Sequence, residues 1–306
     1  MRSRRGLLPY VALGTIYLVW GSTYMAIAVA VRELPPFIAA CLRFLVAGLV
    51  MAGIAAAFDR PRVWPTRRQW LDYSLIGILF LGLGNGLVMW AEQRVPSGIA
   101  ALIVATVPLW VTLVDGLRPG GQAWTLGGWI AVVLGLTGVA LIARPGSADA
   151  VAPLAGIAAL QTAAFSWTLG AVYSQALPAK LPVFTASAIE MLAGSGVLVL
   201  ESLVMGEDWA RLATATPSAW LALLYLVIFG SLVGFTAFAY CLNVLPAGVV
   251  STYAYVNPVV AVTLGTVLLD EPLSAGMLSG AAFILVAVVL TTRGLRPRGG
   301  PGRRDA

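Results

Sequence analysis

The sequence predicts an all-α membrane protein, with ten transmembrane helices forming two inverted five-helix repeats and both termini on the cytoplasmic side. Three observations predict it. The chain of 306 residues is 59% hydrophobic and 10% charged, against about 25% charge in soluble domains; its mean hydropathy is +0.90. Apolar runs follow one another at about 20 residues each, the length a helix needs to cross a hydrocarbon core roughly 30 Å thick. Rare residues recur at a constant offset: Pro96, Gly98 and Pro108 return as Pro246, Gly248 and Pro258, 150 positions on.

The runs span 7–31, 36–58, 70–92, 96–117, 124–143, 153–177, 182–205, 217–242, 246–269 and 273–293. The first follows RSRR and contains Ala28-Val29-Ala30, which imitates a signal peptide. It is too long for a signal core and has a counterpart in the second half, so it reads as a retained helix. Connections are short and rich in Pro, Gly and Arg, as in RELPP at 32–36 and DRPRVWPTRRQ at 59–69. The expected units are repeats at 1–148 and 149–295, then a basic tail at 296–306 too poor in apolar residues to fold.

The repeat extends beyond the prolines. ELPPFIAACLRFL at 33–45 aligns with KLPVFTASAIEML at 180–192, Trp70-Leu71 with Trp220-Leu221, Gly84 with Gly234, and Trp20 falls opposite Trp167. An odd number of helices per repeat forces the second half to insert upside down, the arrangement that permits alternating access to a central site. Lys and Arg set the orientation. One side collects 14 (Arg2, Arg4, Arg5, Arg60, Arg62, Arg67, Arg68, Arg118, Lys180, Arg293, Arg296, Arg298, Arg303 and Arg304) and the other four (Arg32, Arg94, Arg144 and Arg211). The richer side is cytoplasmic, and a multi-pass protein of the bacterial inner membrane is expected.

Pro108 and Pro258 are the expected helix breaks. Each lies 12 residues beyond a Pro-x-Gly entry, roughly 18 Å along a helix and near the midplane. Proline donates no hydrogen bond, so the carbonyls of Val104 and Ala254 lose their helical partners. In lipid such groups are satisfied by protein, water or ligand, and equivalent breaks in two halves point to a transporter's binding site.

Around these breaks the candidate substrate-binding residues are Trp20, Tyr24, Asn85, Trp167, Tyr240, Tyr253 and Asn257. Tyr253 and Asn257 share a face of the most polar apolar run. Their neighbourhood (Ser251, Thr252, Tyr255) is polar where the repeat-equivalent first-half residues Ala101, Leu102, Ile103, Ala105 and Val107 are all apolar. A lining that bonds on one wall and is apolar on the other suits a small amphipathic solute. The competing reading is interhelical bonding worth about 0.6 kcal/mol per group. Trp20 and Trp167 sit too deep for an interfacial belt. Asn85 lies between Gly84 and Gly86, and Tyr240 shares a face with Thr236 and Asn243.

Three intramembrane charges, Arg43, Glu92 and Glu190, are structural or coupling candidates. Glu92 and Arg43 both lie toward the outside and are expected to pair. Glycine steps at Gly135/Gly138 and Gly276/Gly280 suit close helix packing within the molecule, and a monomer is expected.

Other classes are disfavoured. The chain has no histidine and two cysteines, Cys41 and Cys241, inside apolar runs. No metal site or cofactor is expected, and no G-x-x-x-x-G-K stretch binds ATP. Positive charge confined to loops and ends makes nucleic acid an improbable partner. A membrane-embedded lipid-modifying enzyme would need convergent acids, nucleophiles or metal ligands.

These features resemble the drug/metabolite transporter superfamily, specifically its ten-helix EamA-type exporters. The matches are Trp20-Gly21-Ser22, Arg43-Phe44, Pro96-Ser97-Gly98-Ile99-Ala100-Ala101 with Pro108, and Pro258 with Asp270-Glu271-Pro272. The resemblance implies a central cavity lined by helices 1, 3, 4, 6, 8 and 9, with helices 2 and 7 peripheral, so Arg43 and Glu190 would be structural. It also implies export of small metabolites by a secondary mechanism. Amino acids, including aromatic ones, are the leading substrate; nucleosides and drugs are the alternative.

Overall fold

The computed structural model describes residues 7–59, 64–117, 126–143, 152–245, 247–250 and 252–294. Among them all regular structure is helical. In chain order the helices are α1 (Leu8–Val31), α2 (Pro36–Phe58), α3 (Arg67–Ala91) and α4 (Ser97–Val104 and Val107–Leu117). They continue with α5 (Leu126–Ala143), α6 (Leu154–Ala176), α7 (Val183–Val204), α8 (217–244), α9 (Ala247–Val250 and Tyr253–Leu269) and α10 (Ala275–Gly294). A short helix, Arg211–Thr214, precedes α8. Seven helical segments are long and apolar enough to cross a membrane, and three more (Leu126–Ile142, Tyr253–Leu269, Ala275–Leu290) are apolar but shorter. Side chains such as Leu18, Leu49 and Leu200 point outward, 65%, 58% and 60% exposed, as lipid-facing positions would.

Helix starts follow local chemistry where they can. Thr66 and Gln69 open α3 with a capping box: Gln69 N donates to Thr66 Oγ1 at 3.2 Å and Thr66 N donates to Gln69 Oε1 at 2.9 Å. Proline at the first helical position opens α2 and α8. Four helix starts take carboxylates from distant loops. Glu207, just past α7, accepts from Phe37 N and Ile38 N at 2.9 Å each. Asp59, just past α2, accepts from Thr185 N at 2.8 Å and Thr185 Oγ1 at 2.6 Å. So α2 and α7 run antiparallel, and a carboxylate just past the end of each caps the other. Glu33 accepts likewise from Thr216 N and Oγ1, at 2.6 and 2.7 Å. An anionic oxygen at a helix N-terminus satisfies orphan donors and opposes the positive end of the helix dipole.

Glu271 makes the fourth such cap, accepting from Ser97 N at 2.7 Å and Gly98 N at 3.1 Å. It reaches α4 because Asp270 ends α9 in the left-handed region, φ 55°, which reverses the chain. The Asp270-Glu271 and Ser97-Gly98 motifs, far apart in sequence, are thus one contact.

Both α3 and α8 contain a π-helical segment, Ile78–Gly86 and Leu226–Val233. Neither was expected from periodicity. Each extra residue per turn rotates the downstream faces by roughly 100°. The glycine steps pack within the molecule: the backbones of α5 and α10 approach so closely that a Cβ on Gly138 would lie 2.7 Å from Gly280 O.

Candidate functional site

A cavity of about 110 Å³ opens among the helices. Its walls come from α1, α3, α4, α6, α8 and α9, the six the family resemblance implies, and additionally from Arg43 on α2.

Its centre is aromatic. Trp20 is buried, and its indole N–H donates to Gly230 O at 3.2 Å, an acceptor inside the π segment of α8. Its ring meets Trp167 edge to face at 6.2 Å, Phe235 at 5.6 Å and Tyr253 at 5.3 Å. Trp167 also stacks in a tilted arrangement on Phe80, 4.5 Å away. The Trp20-Gly21-Ser22 run is explained residue by residue. Trp20 faces the cavity. A Cβ on Gly21 would fall 2.6 Å from Val260 Cβ, so glycine lets α1 approach α9. Ser22 Oγ pairs with Tyr225 OH at 2.6 Å.

The two broken helices face each other across the cavity. From α4 it receives Ala101, Val104, Ala105 and Val107, all apolar; from α9 it receives Tyr253, Ala254, Asn257 and Pro258. Both carbonyl-bearing residues freed by proline, Val104 and Ala254, are in the lining. The breaks themselves are less alike than the sequence repeat suggests. In α4 the helix interrupts at Ala105 and Thr106, so Pro108 sits in the first turn of the following segment, where its missing N–H costs little. In α9 the interruption precedes Tyr253, and Pro258 lies inside the helix. Pro108 itself lies behind Val107, outside the lining. Pro246 and Ser251 fall outside the described residues.

Asn257 is 7% exposed; with its amide turned to donate, its nitrogen lies 3.2 Å from the carbonyl oxygens of Tyr253 and Tyr17. The bond to Tyr17 O holds α9 to α1, the bond to Tyr253 O stays within α9, and the amide oxygen is left as an acceptor. Asn85 Nδ2 donates to Phe80 O at 3.2 Å, a bond made inside the π segment of α3. Tyr24 completes the expected set in the wall.

Tyr240 does not join it. It is half-buried in the packing of α8, and Phe235 occupies the cavity face instead. The π segment just upstream turns that face away from the one an uninterrupted helix would present. Thr23, Phe235, Ala163 and Val88 were missed as lining residues. Glycine density at 82–86 and at 230 and 234 is the sequence signal that could have marked the π segments.

The charges separate. Arg43 is 3% exposed, and its Nε donates to Ser231 Oγ at 3.0 Å, while its guanidinium lies 4.6 Å from the Phe44 ring centre. Glu92 is 6% exposed and neither carboxylate oxygen has a hydrogen-bond partner among the described residues. The expected Arg43–Glu92 pair is therefore not made at bonding distance here: Ser231 takes the guanidinium. Glu190 lies away from the cavity, where its backbone is in close contact with Gly77. No cluster of three metal-ligating side chains occurs among the described residues.

The model of the EamA-like transporter family matches residues 8–144 and again 154–293. The chain belongs to the EamA-like transporter family. Similarity extends to the uncharacterized inner membrane transporter YedA of Escherichia coli K12, 40% identical over 96% of this chain and 94% of that one. Protein PecM of Dickeya dadantii is 29% identical over 89% of this chain and 88% of its own. The uncharacterized transporter YvbV of Bacillus subtilis is 25% identical over 91% and 89%. One crystal structure aligns with TM-score 0.65 at 20% identity, covering 94% of this chain and 98% of that chain, and so shares the fold. This EamA-family chain is a multi-pass membrane protein of transporter type.

Proposed function

We propose that the chain is a secondary transporter of the bacterial inner membrane that exports small metabolites, amino acids first among them, by alternating access about the central cavity. In this reading all ten helices cross the membrane as two inverted repeats, 1–148 and 149–295, with both termini cytoplasmic. The observation that carries it is the junction of Trp20 and Trp167, repeat-equivalent residues in edge-to-face contact inside the cavity. A site shared between two related halves is what rocking one half against the other would expose to each side in turn.

The chemistry of the walls supports an amphipathic solute. The aromatic cluster receives an apolar side chain. The acceptors of α9, Ala254 O and the Asn257 amide oxygen, receive an ammonium or hydroxyl, so the solute sits nearer α9 than the apolar wall of α4. Capped, tightly packed helices such as α2 and α7 form the frame against which the lining moves.

Counterflow in proteoliposomes tests the reading, with labelled aromatic and small polar amino acids beside nucleosides, and with Trp20→Ala and Asn257→Ala in parallel. Saturable amino-acid exchange lost in both variants is the expected result. Exchange of nucleosides alone would overturn the substrate class, and ohmic current without saturation would overturn the carrier mechanism.

A further inference from the structure

Among the described residues lining the cavity, Arg43 is the one charged side chain. It is 3% exposed, and its Nε–H is the donor spent on Ser231. Its Nη1 is buried with no hydrogen-bond partner among the described residues. The same guanidinium stands against α8 at Gly230, where a Cβ would lie 3.0 Å from Nη2, so the glycine makes room for it. A cation in an apolar, water-poor site is costly unless an anion and hydrogen bonds compensate it. Among the described residues no carboxylate lines the cavity, and Glu92 forms no hydrogen bond to Arg43. Glu92 acts on Arg43 only through space, so a buried donor is left unbonded, and it belongs to the group best shaped to receive a planar carboxylate.

We propose that Arg43 is the carboxylate-recognition residue of this cavity and that its solutes are small monocarboxylates with an apolar or aromatic body. The inference rests on the transport reading of the cavity and deepens it. The carboxylate bonds Nη1 of Arg43, the body lies against Trp20, Trp167 and Tyr253, and any ammonium turns to the acceptors of α9. Ser231 holds the guanidinium by its Nε, which fixes the plane in which the remaining donors point. A single guanidinium suits one negative charge; a phosphate dianion would ask for more donors than this wall supplies. The π segment of α8 contributes directly, since Gly230 and Ser231 both belong to it.

The test is competition against counterflow of labelled L-phenylalanine and L-leucine in proteoliposomes of wild type, Arg43→Gln and Arg43→Lys. The competitors are 3-phenylpropionate, which keeps the carboxylate without the ammonium, and L-phenylalaninamide, which keeps the ammonium without the carboxylate. In wild type the acid is expected to compete at least about tenfold better than the amide, the size of a lost charge-assisted bond. In R43Q that gap closes, and R43K falls between. A merely structural Arg43 would lower activity without closing the gap. An amide that competes as well as the acid in wild type overturns the proposal, as does an R43Q protein of unchanged thermal midpoint that keeps its acid preference. If no labelled amino acid exchanges, the transport reading fails on its own, and binding then decides. Quenching of tryptophan fluorescence in detergent by phenylpropionate but not by phenylalaninamide, abolished in R43Q, upholds the carboxylate site; equal quenching or none overturns it.

Discussion

The indoles of Trp20 and Trp167 meet edge to face, with ring centroids 6.2 Å apart and planes at 87°. Each lies over a glycine of the other half of the chain. A Cβ on Gly234 would fall 2.3 Å from Trp20 Nε1, and one on Gly84 would fall 3.5 Å from Trp167 Cε3. The two pairs exchange at offsets of 147 and 150 residues, and edge-to-face geometry sets the positive rim of one ring against the negative face of the other.

The two glycines differ in how much room they leave, and that predicts unequal effects. Gly234→Ala displaces the Trp20 indole and breaks its bond to Gly230 O, so exchange is expected to fall about tenfold or more. Gly84→Ala meets Trp167 at ordinary contact distance and Leu79 O at 3.0 Å, so a smaller loss is expected. Counterflow rates and tryptophan emission maxima of the two variants check this; equal effects would count against the geometry.

Pro258 leaves Ala254 O without its helical donor. Pro258→Ala restores that donor, so the thermal midpoint is expected to hold or rise, since an interior proline costs a helix up to about 3 kcal/mol. Solute exchange is expected to fall, because the carbonyl is now occupied. Loss of exchange together with loss of stability would mean the proline serves packing alone. Pro108→Ala, in the first turn of its segment, is expected to change both less.

The carboxylate caps hold the frame. Glu207→Gln weakens two backbone bonds and a third from Ser202 Oγ, 2.7 Å away. Charge-assisted bonds of this kind are worth about 1.5–3 kcal/mol each at most, and a loss of that order in unfolding free energy is expected. Solute affinity should stay near wild type, because Glu207 lies outside the lining. Unfolding midpoints and KM measured on one preparation separate the two.

Glu33 carries a pH signature. The backbone N–H of Thr216, and then its hydroxyl, hold the Glu33 carboxyl below the usual carboxylate range, with Arg211 adding to the effect. A depressed carboxylate stabilises the fold above its unfolded-state pKa and loses that contribution as pH falls through its folded-state value. Wild type is therefore expected to be more stable than Glu33→Gln near neutral pH, with the difference vanishing under acid. Midpoints measured from pH 7 down through the carboxylate range check the sign; a difference that grows under acid would contradict it.

Much of the cavity was legible because rare residues in apolar sequence carry more information than common ones. Trp20, Trp167, Asn85, Tyr253 and Asn257 stood out by residue type and position within apolar runs, and all line the cavity. Tyr240 and Phe235 were not legible. A helical wheel assumes one period throughout, and the π segment at Leu226–Val233 changes it just before them.

By itself, the sequence determined that this chain is a membrane protein of helices, because apolar length and backbone hydrogen bonding leave a lipid-embedded chain few other solutions. It also carries the recurrence of Pro96, Gly98 and Pro108 as Pro246, Gly248 and Pro258, and the rare aromatic and amide residues within apolar runs. Only the tertiary structure decided which charges meet what. Arg43 enters the cavity wall and bonds Ser231, while Glu92 makes no hydrogen bond to it. Glu207, Asp59, Glu33 and Glu271 cap helices that sequence distance separates from them. Burial and periodicity are properties of a segment, whereas a charge's partner depends on where another segment of the chain is brought beside it.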